Sequence, residues 1–116
     1  MPDRDSSAPF EGQHVPVNMY EADEAVVVVA PLPGVMPDDV EVEVTEAGRM
    51  TIRAGVRSEP AKEYLLHEWH YGPYERAIDL PDGFGGQATA SFGNGQLAVR
   101  VLRGDSIGVQ TVTPNG

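Results

Sequence analysis

Val40-Glu41-Val42-Glu43-Val44 alternates without a break between a β-branched side chain and a carboxylate. Successive side chains of a strand point to opposite faces, so a period of two marks a strand with one face buried and the other in water. The inward face is Val40, Val42 and Val44. Met50, Ile52 and Ala54 repeat the pattern, with Thr51 and Arg53 facing out, after a turn signal at Glu46-Ala47-Gly48, so the two segments read as a hairpin. Upstream, residues 25–30 are a continuous apolar run closed by Pro31 and Pro33, as expected of a strand covered on both sides. Val15, Val17 and Met19 fall on alternate positions of a shorter strand before it.

Helices have little room. The 116 residues include 13 Gly and 10 Pro spread along the chain, and both are unfavourable inside a helix. Residues 68–80 carry Trp69, Tyr71, Tyr74, Ile78 and Leu80 around a Gly72-Pro73 break, which predicts a long strand with a bend or bulge. Residues 88–92 alternate again, and Gly93-Asn94-Gly95 turns the chain into the apolar alternation of residues 96–102. Asn-Gly is a hairpin signal because both residues tolerate positive φ. About seven strands separated by turn signals predict an all-β fold, an immunoglobulin-like antiparallel β-sandwich. Only residues 60–66 read weakly as helix or as an extra loop strand. One domain is expected at this length. Residues 15–102 make the sandwich, 1–14 a short flexible N-terminal arm and 103–116 a flexible C-terminal extension, since both ends are polar, small or Gly-rich.

The charge removes several partners. Eighteen acidic residues against eight basic ones give a formal net charge of -10, and phosphate-backbone binding needs clustered cations, so neither nucleic acid nor an anionic membrane is expected. The longest apolar stretch, residues 25–32, is far short of the roughly 20 residues that cross a bilayer. The opening Met1-Pro2-Asp3-Arg4-Asp5 has neither the basic nor the apolar region of a secretory signal. A soluble, cytoplasmic protein is expected. With no cysteine there is no disulfide framework, thiolate metal site or Cys nucleophile.

No arrangement that carries chemistry stands out, and neither catalytic residues, a metal nor a cofactor is expected. His67-Glu68-Trp69-His70 brings two histidines close in sequence, but residues three apart on a strand face opposite ways. Asp38-Asp39, and Asp79 with Asp82, are paired carboxylates at Pro-containing turns, where Asp also caps backbone amides. Gly83-Phe84-Gly85-Gly86 lacks phosphate-loop spacing and reads as a strand connector. No Ser sits in a G-x-S-x-G elbow. What the chain offers instead is sheet edges, which recruit partner chains. Val42 and Val44 on one strand and Ala90 and Phe92 on another either pack the core or line an apolar groove that an extended peptide fills with alternate side chains.

The segment 15–102 resembles the α-crystallin domain of the small heat-shock proteins. Leu32-Pro33-Gly34-Val35 followed by Asp38-Asp39-Val40-Glu41-Val42 is similar to the family's entry into a strand. Glu68-Trp69-His70-Tyr71-Gly72-Pro73-Tyr74-Glu75-Arg76 is similar to its E-x-x-Y-G-x-F-x-R strand, with Tyr74 in place of the usual Phe, and Ile78-Asp79-Leu80-Pro81 continues it. Residues 90–97, Ala-Ser-Phe-Gly-Asn-Gly-Gln-Leu, match the A-x-x-x-N-G-x-L closing hairpin. The four matches agree in order and spacing.

The resemblance implies an ATP-independent holdase, not an enzyme, that binds partly unfolded client proteins and suppresses their aggregation. It implies a homodimer by exchange of a loop strand, here within residues 58–66, with Tyr64 and Leu65 pairing onto the partner's first strand around Val17 and Met19. Arg76 falls where the family places a buried or interfacial arginine paired with acids. The family's tail tripeptide I-x-I/V corresponds to Ile107-Gly108-Val109, which would fill a neighbouring subunit's groove. The linker before it, residues 103–106, spans at most roughly 14 Å when extended. An N-terminal arm with Phe10 as its only aromatic implies small assemblies. An alternative on the same sandwich is a non-catalytic adaptor module of the CS co-chaperone type, docking on one folded partner.

Overall fold

The computed structural model describes residues 13–55, 63, 65–66 and 73–114. Among these, nine strands form two sheets: β1 (Gln13–His14), β2 (Asn18–Ala22), β3 (Ala25–Pro31), β4 (Val40–Val44), β5 (Arg49–Ala54), β6 (Tyr74–Asp79), β7 (Ala88–Gly93), β8 (Gln96–Leu102) and β9 (Gln110–Val112). One sheet runs β1-β6-β5-β4-β9 and the other β2-β3-β8-β7. Every pairing is antiparallel except the two-residue contact of β1 with β6. The fold is the expected all-β two-sheet sandwich.

The alternating positions are what the sheets bury between them. Val40, Val42 and Val44 face Ala54, Ile52 and Met50 in register, and all six are in the core. Val26, Val28 and Ala30 of β3 stand beside Val101, Val99 and Leu97 of β8, also buried. The intervening side chains of the first sheet reach water, where Arg53 sits between Glu41 and Glu75 and binds Glu75 at 3.3 Å. The continuous run of β3 is covered on both sides over part of its length. Val27, on the outward face between Tyr20 of β2 and Arg100 of β8, is only 6% exposed.

Turns follow their residues, with one exception. Asn94 and Gly95 take φ of 53° and 75° to close the β7–β8 hairpin, as the Asn-Gly signal requires. The β2–β3 hairpin closes through Asp23 and Glu24, also at positive φ (53° and 61°); Asp is suited to the first position, but Glu24 stands where such a turn favours Gly.

Two expectations shift and one is seen only in part. Pairing of the first long strand begins at Asn18 rather than Val15, because Pro16 has no N–H for a ladder; Val15 is buried in the crossing between the sheets and Val17 packs on the core. The predicted strand over 68–80 is seen from Tyr74; its earlier part, with Trp69, Tyr71 and both histidines, lies outside the described residues, as do most of residues 56–64. The C-terminal extension is not wholly outside the sandwich, since residues 110–112 are its strand β9. β4 would otherwise leave one edge of backbone groups unpaired.

Candidate protein-binding groove

β9 is the edge strand of one sheet, next to β4, and it lies beside β7, the edge strand of the other, so the seam between β4 and β7 is closed by β9. Val42 and Val44 are fully buried, while Ala90 and Phe92 are half-buried against the same core. Of the four residues expected to line a groove, Val42 and Val44 therefore belong to the core itself and Ala90 and Phe92 pack against it from β7. The chain's own β9 lies along β4, with Val112 opposite Val42, Thr111 opposite Glu43 and Gln110 opposite Val44.

Alternate positions of this tail face inward. Val112 is half-buried against the core and Pro114 is buried. Gln110 bridges to the other sheet: its Oε1 accepts from the Ala88 N–H at 2.9 Å, and its Nε2 donates to the Gly86 carbonyl at 2.7 Å. Sequence reasoning missed all three, although Gln110, Val112 and Pro114 show the period of two that a strand uses.

Ile107 and Val109, the expected tail tripeptide, stand outside the seam of this chain at 62% and 58% exposure. The cause is the route of the backbone before them. Gly104 donates to the Gly83 carbonyl (2.8 Å), Gly85 to Gly104 (2.9 Å) and Ile107 to Gly85 (3.2 Å), so residues 103–107 are laced to the Gly-rich connector of their own chain. Gly108, at φ 101°, then turns the chain before it meets β4.

The second open feature is β2, an edge strand of its sheet whose Met19 and Tyr20 are 43% and 52% exposed. Leu65 and Leu66 are exposed as well, and Tyr64 lies outside the described residues. Arg76 is half-buried on β6; it donates to the Val15 carbonyl at 2.6 Å and lies 3.1 Å from Nε2 of His14, so within the chain it holds the crossing that leads into β2.

The remaining candidates are structural. Asp79 binds Arg49 at 2.8 Å with both side chains more than half exposed, and Asp38 and Asp39 belong to a short 3-10 turn (Pro37–Asp39) before β4. Among the described residues no group of His, Asp or Glu is placed to hold a metal ion. Among the described residues no helix is long and apolar enough to cross a membrane.

A model of the Hsp20/alpha crystallin family matches residues 18–112, from β2 to the end of β9. The chain belongs to the Hsp20/alpha crystallin family. Its family members are non-enzymatic chaperones and are typically oligomeric. This Hsp20 chain is 35% identical over 109 residues to the 16.9 kDa class I heat shock protein 3 of Oryza sativa subsp. japonica, covering 89% of this chain and 70% of the rice protein. Its sandwich is similar to the crystal structure of hspA from Xanthomonas axonopodis, with a TM-score of 0.68 and 30% identity over 78% of this chain and 94% of that one. It is also similar to a small heat-shock protein from Xylella fastidiosa that has a distinct high order structure, with a TM-score of 0.65 and 26% identity over 88% and 92% of the two chains. The Hsp20 match ends where β9 does, so the strand lying in the seam falls within the family's own span.

Proposed function

We propose that the chain is an ATP-independent holdase that binds partly unfolded proteins along the β4–β7 seam and keeps them from aggregating. The observation that carries this reading is that a strand of only three residues, β9, covers β4 at Val42 and Val44 and lies beside β7, whose Ala90 and Phe92 pack on the same core. An extended client segment adds to β4 by the same main-chain pairing once β9 lifts away. Lifting exposes apolar side chains for which a client strand with alternate apolar residues is the complement, and heating raises the population of that open form. The net charge of -10 keeps the loaded complex soluble.

The working unit in this reading is a homodimer, in which a loop strand near Leu65 of each copy pairs with β2 of the other. Support comes from the open edge of β2 and from the exposed Met19, Tyr20, Leu65 and Leu66. The test is light scattering of a heat-labile client without ATP at rising ratios of this protein. Suppression that saturates at one or a few subunits per client supports the holdase. Undiminished aggregation with this protein still folded overturns it and leaves an adaptor for one folded partner.

A further inference from the structure

We propose that the β4–β7 seam selects its occupant by a carboxamide, reading an extended Gln-x-Val-x-Pro pattern of which residues 110–114 of the same chain are the resident copy. The inference rests on the seam being the protein-binding site and names which segments it takes.

The polar end of the seam is the Ala88 N–H and the Gly86 carbonyl, one donor and one acceptor two residues apart. Gln110 satisfies both with a single side chain, at 2.9 Å and 2.7 Å. Few side chains do this. A carboxylate only accepts, and would set its lone pairs against the Gly86 carbonyl. Lysine only donates. An aliphatic side chain at this place strands both backbone groups under an apolar cover, which costs more than the burial returns. Asparagine has the right chemistry with one methylene less of reach. Glutamine is the side chain that fits.

The two following inward positions are apolar. Val112 lies across from Val42 and packs on the core, and Pro114 is buried. A proline is admissible at the margin of an added strand because its missing N–H removes a donor that an edge leaves unpaired in any case.

The same tail contains a more apolar pair, Ile107 and Val109, and leaves it in water at 62% and 58% exposure while a glutamine takes the seam. Hydrophobicity alone would place them the other way round. The polar pair at Gly86 and Ala88, with the lacing of residues 103–107 to the connector, accounts for the choice. Because the resident segment is tethered, it screens out weak segments, and those carrying the same pattern compete best.

The test uses the full chain, its Gln110→Ala variant, and a fluorescent peptide Gln-Thr-Val-Thr-Pro together with versions in which the Gln is replaced by Glu or by Ile. Fluorescence anisotropy is expected to show the Gln peptide binding at least ten-fold more tightly to the Gln110→Ala chain than to the unaltered one. On that variant, the Glu and Ile peptides are expected to bind at least ten-fold more weakly than the Gln peptide. An Ile peptide that binds as well as the Gln peptide overturns selection by the amide, and equal binding to both chains overturns occupancy by the resident tail. Hydrogen exchange gives a readout without peptide: the Ala88 amide is expected to exchange at least ten-fold faster in the variant, and equal rates overturn the contact. Client light scattering on the same proteins separates the two readings. Clients protected while the peptides fail to discriminate would sink this inference and leave the holdase standing; discrimination without protection would do the reverse.

Discussion

The guanidinium of Arg103 lies 4.5 Å over the ring of Phe84. The same side chain reaches Glu24 at 2.9 Å and Glu21 at 3.4 Å, so one arginine joins the root of the tail, the Gly-rich connector and the β2–β3 turn. Phe84 is buried, which makes the stacking the firmer part of this junction, since the ion pairs are half exposed and screened. Arg103→Ala is expected to lower stability by about 1–2 kcal/mol in urea unfolding, from roughly 0.5–1 kcal/mol of cation–π attraction and the remainder from the carboxylate contacts. A double-mutant cycle with Phe84→Leu should return a coupling of about 0.5–1 kcal/mol, and a coupling of zero would show the stacking to be inert.

The turn held by Arg103 is itself strained. Asp23 and Glu24 both sit at positive φ, and the Arg103 N–H donates to the Glu24 carbonyl at 2.8 Å, so the arginine grips this residue by backbone and side chain. Glycine adopts this conformation without the Cβ clash. Glu24→Gly in the Arg103→Ala background is expected to raise stability by up to about 1 kcal/mol, because the side chain then has no ion pair to lose. In the unaltered background the lost contact offsets the gain. Thermal melts resolve the two cases, since about 1 kcal/mol moves the midpoint of a domain this size by roughly 4–8 °C.

Gly85 meets the tail more closely than any side chain would allow. A Cβ there would lie 2.7 Å from the backbone of Ser106, whereas one added at Gly93 would meet nothing within 4 Å. Gly85→Ala is therefore expected to push residues 103–107 off the connector and cost about 1–3 kcal/mol. Gly93→Ala should stay within about 0.5 kcal/mol. Equal melting temperatures for the two variants would mean that the lacing of the tail contributes nothing to stability.

The β4–β5 and β7–β8 hairpins were legible because each has one buried face, and Val40, Val42 and Val44 display it at a period of two. The strands β1 and β9 were not, because two residues in β1 and three in β9 are too few for a period to stand out from polar surroundings, and the open edges of β6 and β4 decide their pairing. The family resemblance likewise favours Ile107-Gly108-Val109 as the docking tripeptide. The route through Gly83, Gly85 and Gly104, and the amide partners of Gln110, are long-range contacts that a linear reading cannot display. The Asp23-Glu24 turn was hidden for the opposite reason: Glu24 argues against the positive φ in which Arg103 holds it.

Tyr74 stands where the family resemblance has Phe, and the structure uses the extra atom. The ring is buried, and its hydroxyl donates to the Pro33 carbonyl at 2.9 Å, tying β6 to the loop between β3 and β4. Tyr74→Phe keeps the packing and removes the donor, leaving a part-buried carbonyl short of one partner. The expected loss is about 1 kcal/mol in urea unfolding with an unchanged m-value. An unaltered midpoint would show that water replaces the hydroxyl without cost.

Leu65 is 106% exposed and Leu66 74%, so the rest of the described chain covers neither. If a loop strand is exchanged between copies, these leucines bury their side chains only in the dimer, beside the open edge of β2 with its Met19 and Tyr20. Leu65→Asp should then leave the folded monomer within about 0.5 kcal/mol of its original stability, because an exposed position has no packing to lose. The dimer should weaken at least ten-fold, equivalent to about 1.4 kcal/mol, since a carboxylate is forced against an apolar strand edge. Sedimentation equilibrium over a concentration series measures the second quantity and urea unfolding under monomeric conditions the first. A dimer constant that does not move would take Leu65 out of the interface and with it the strand exchange onto β2.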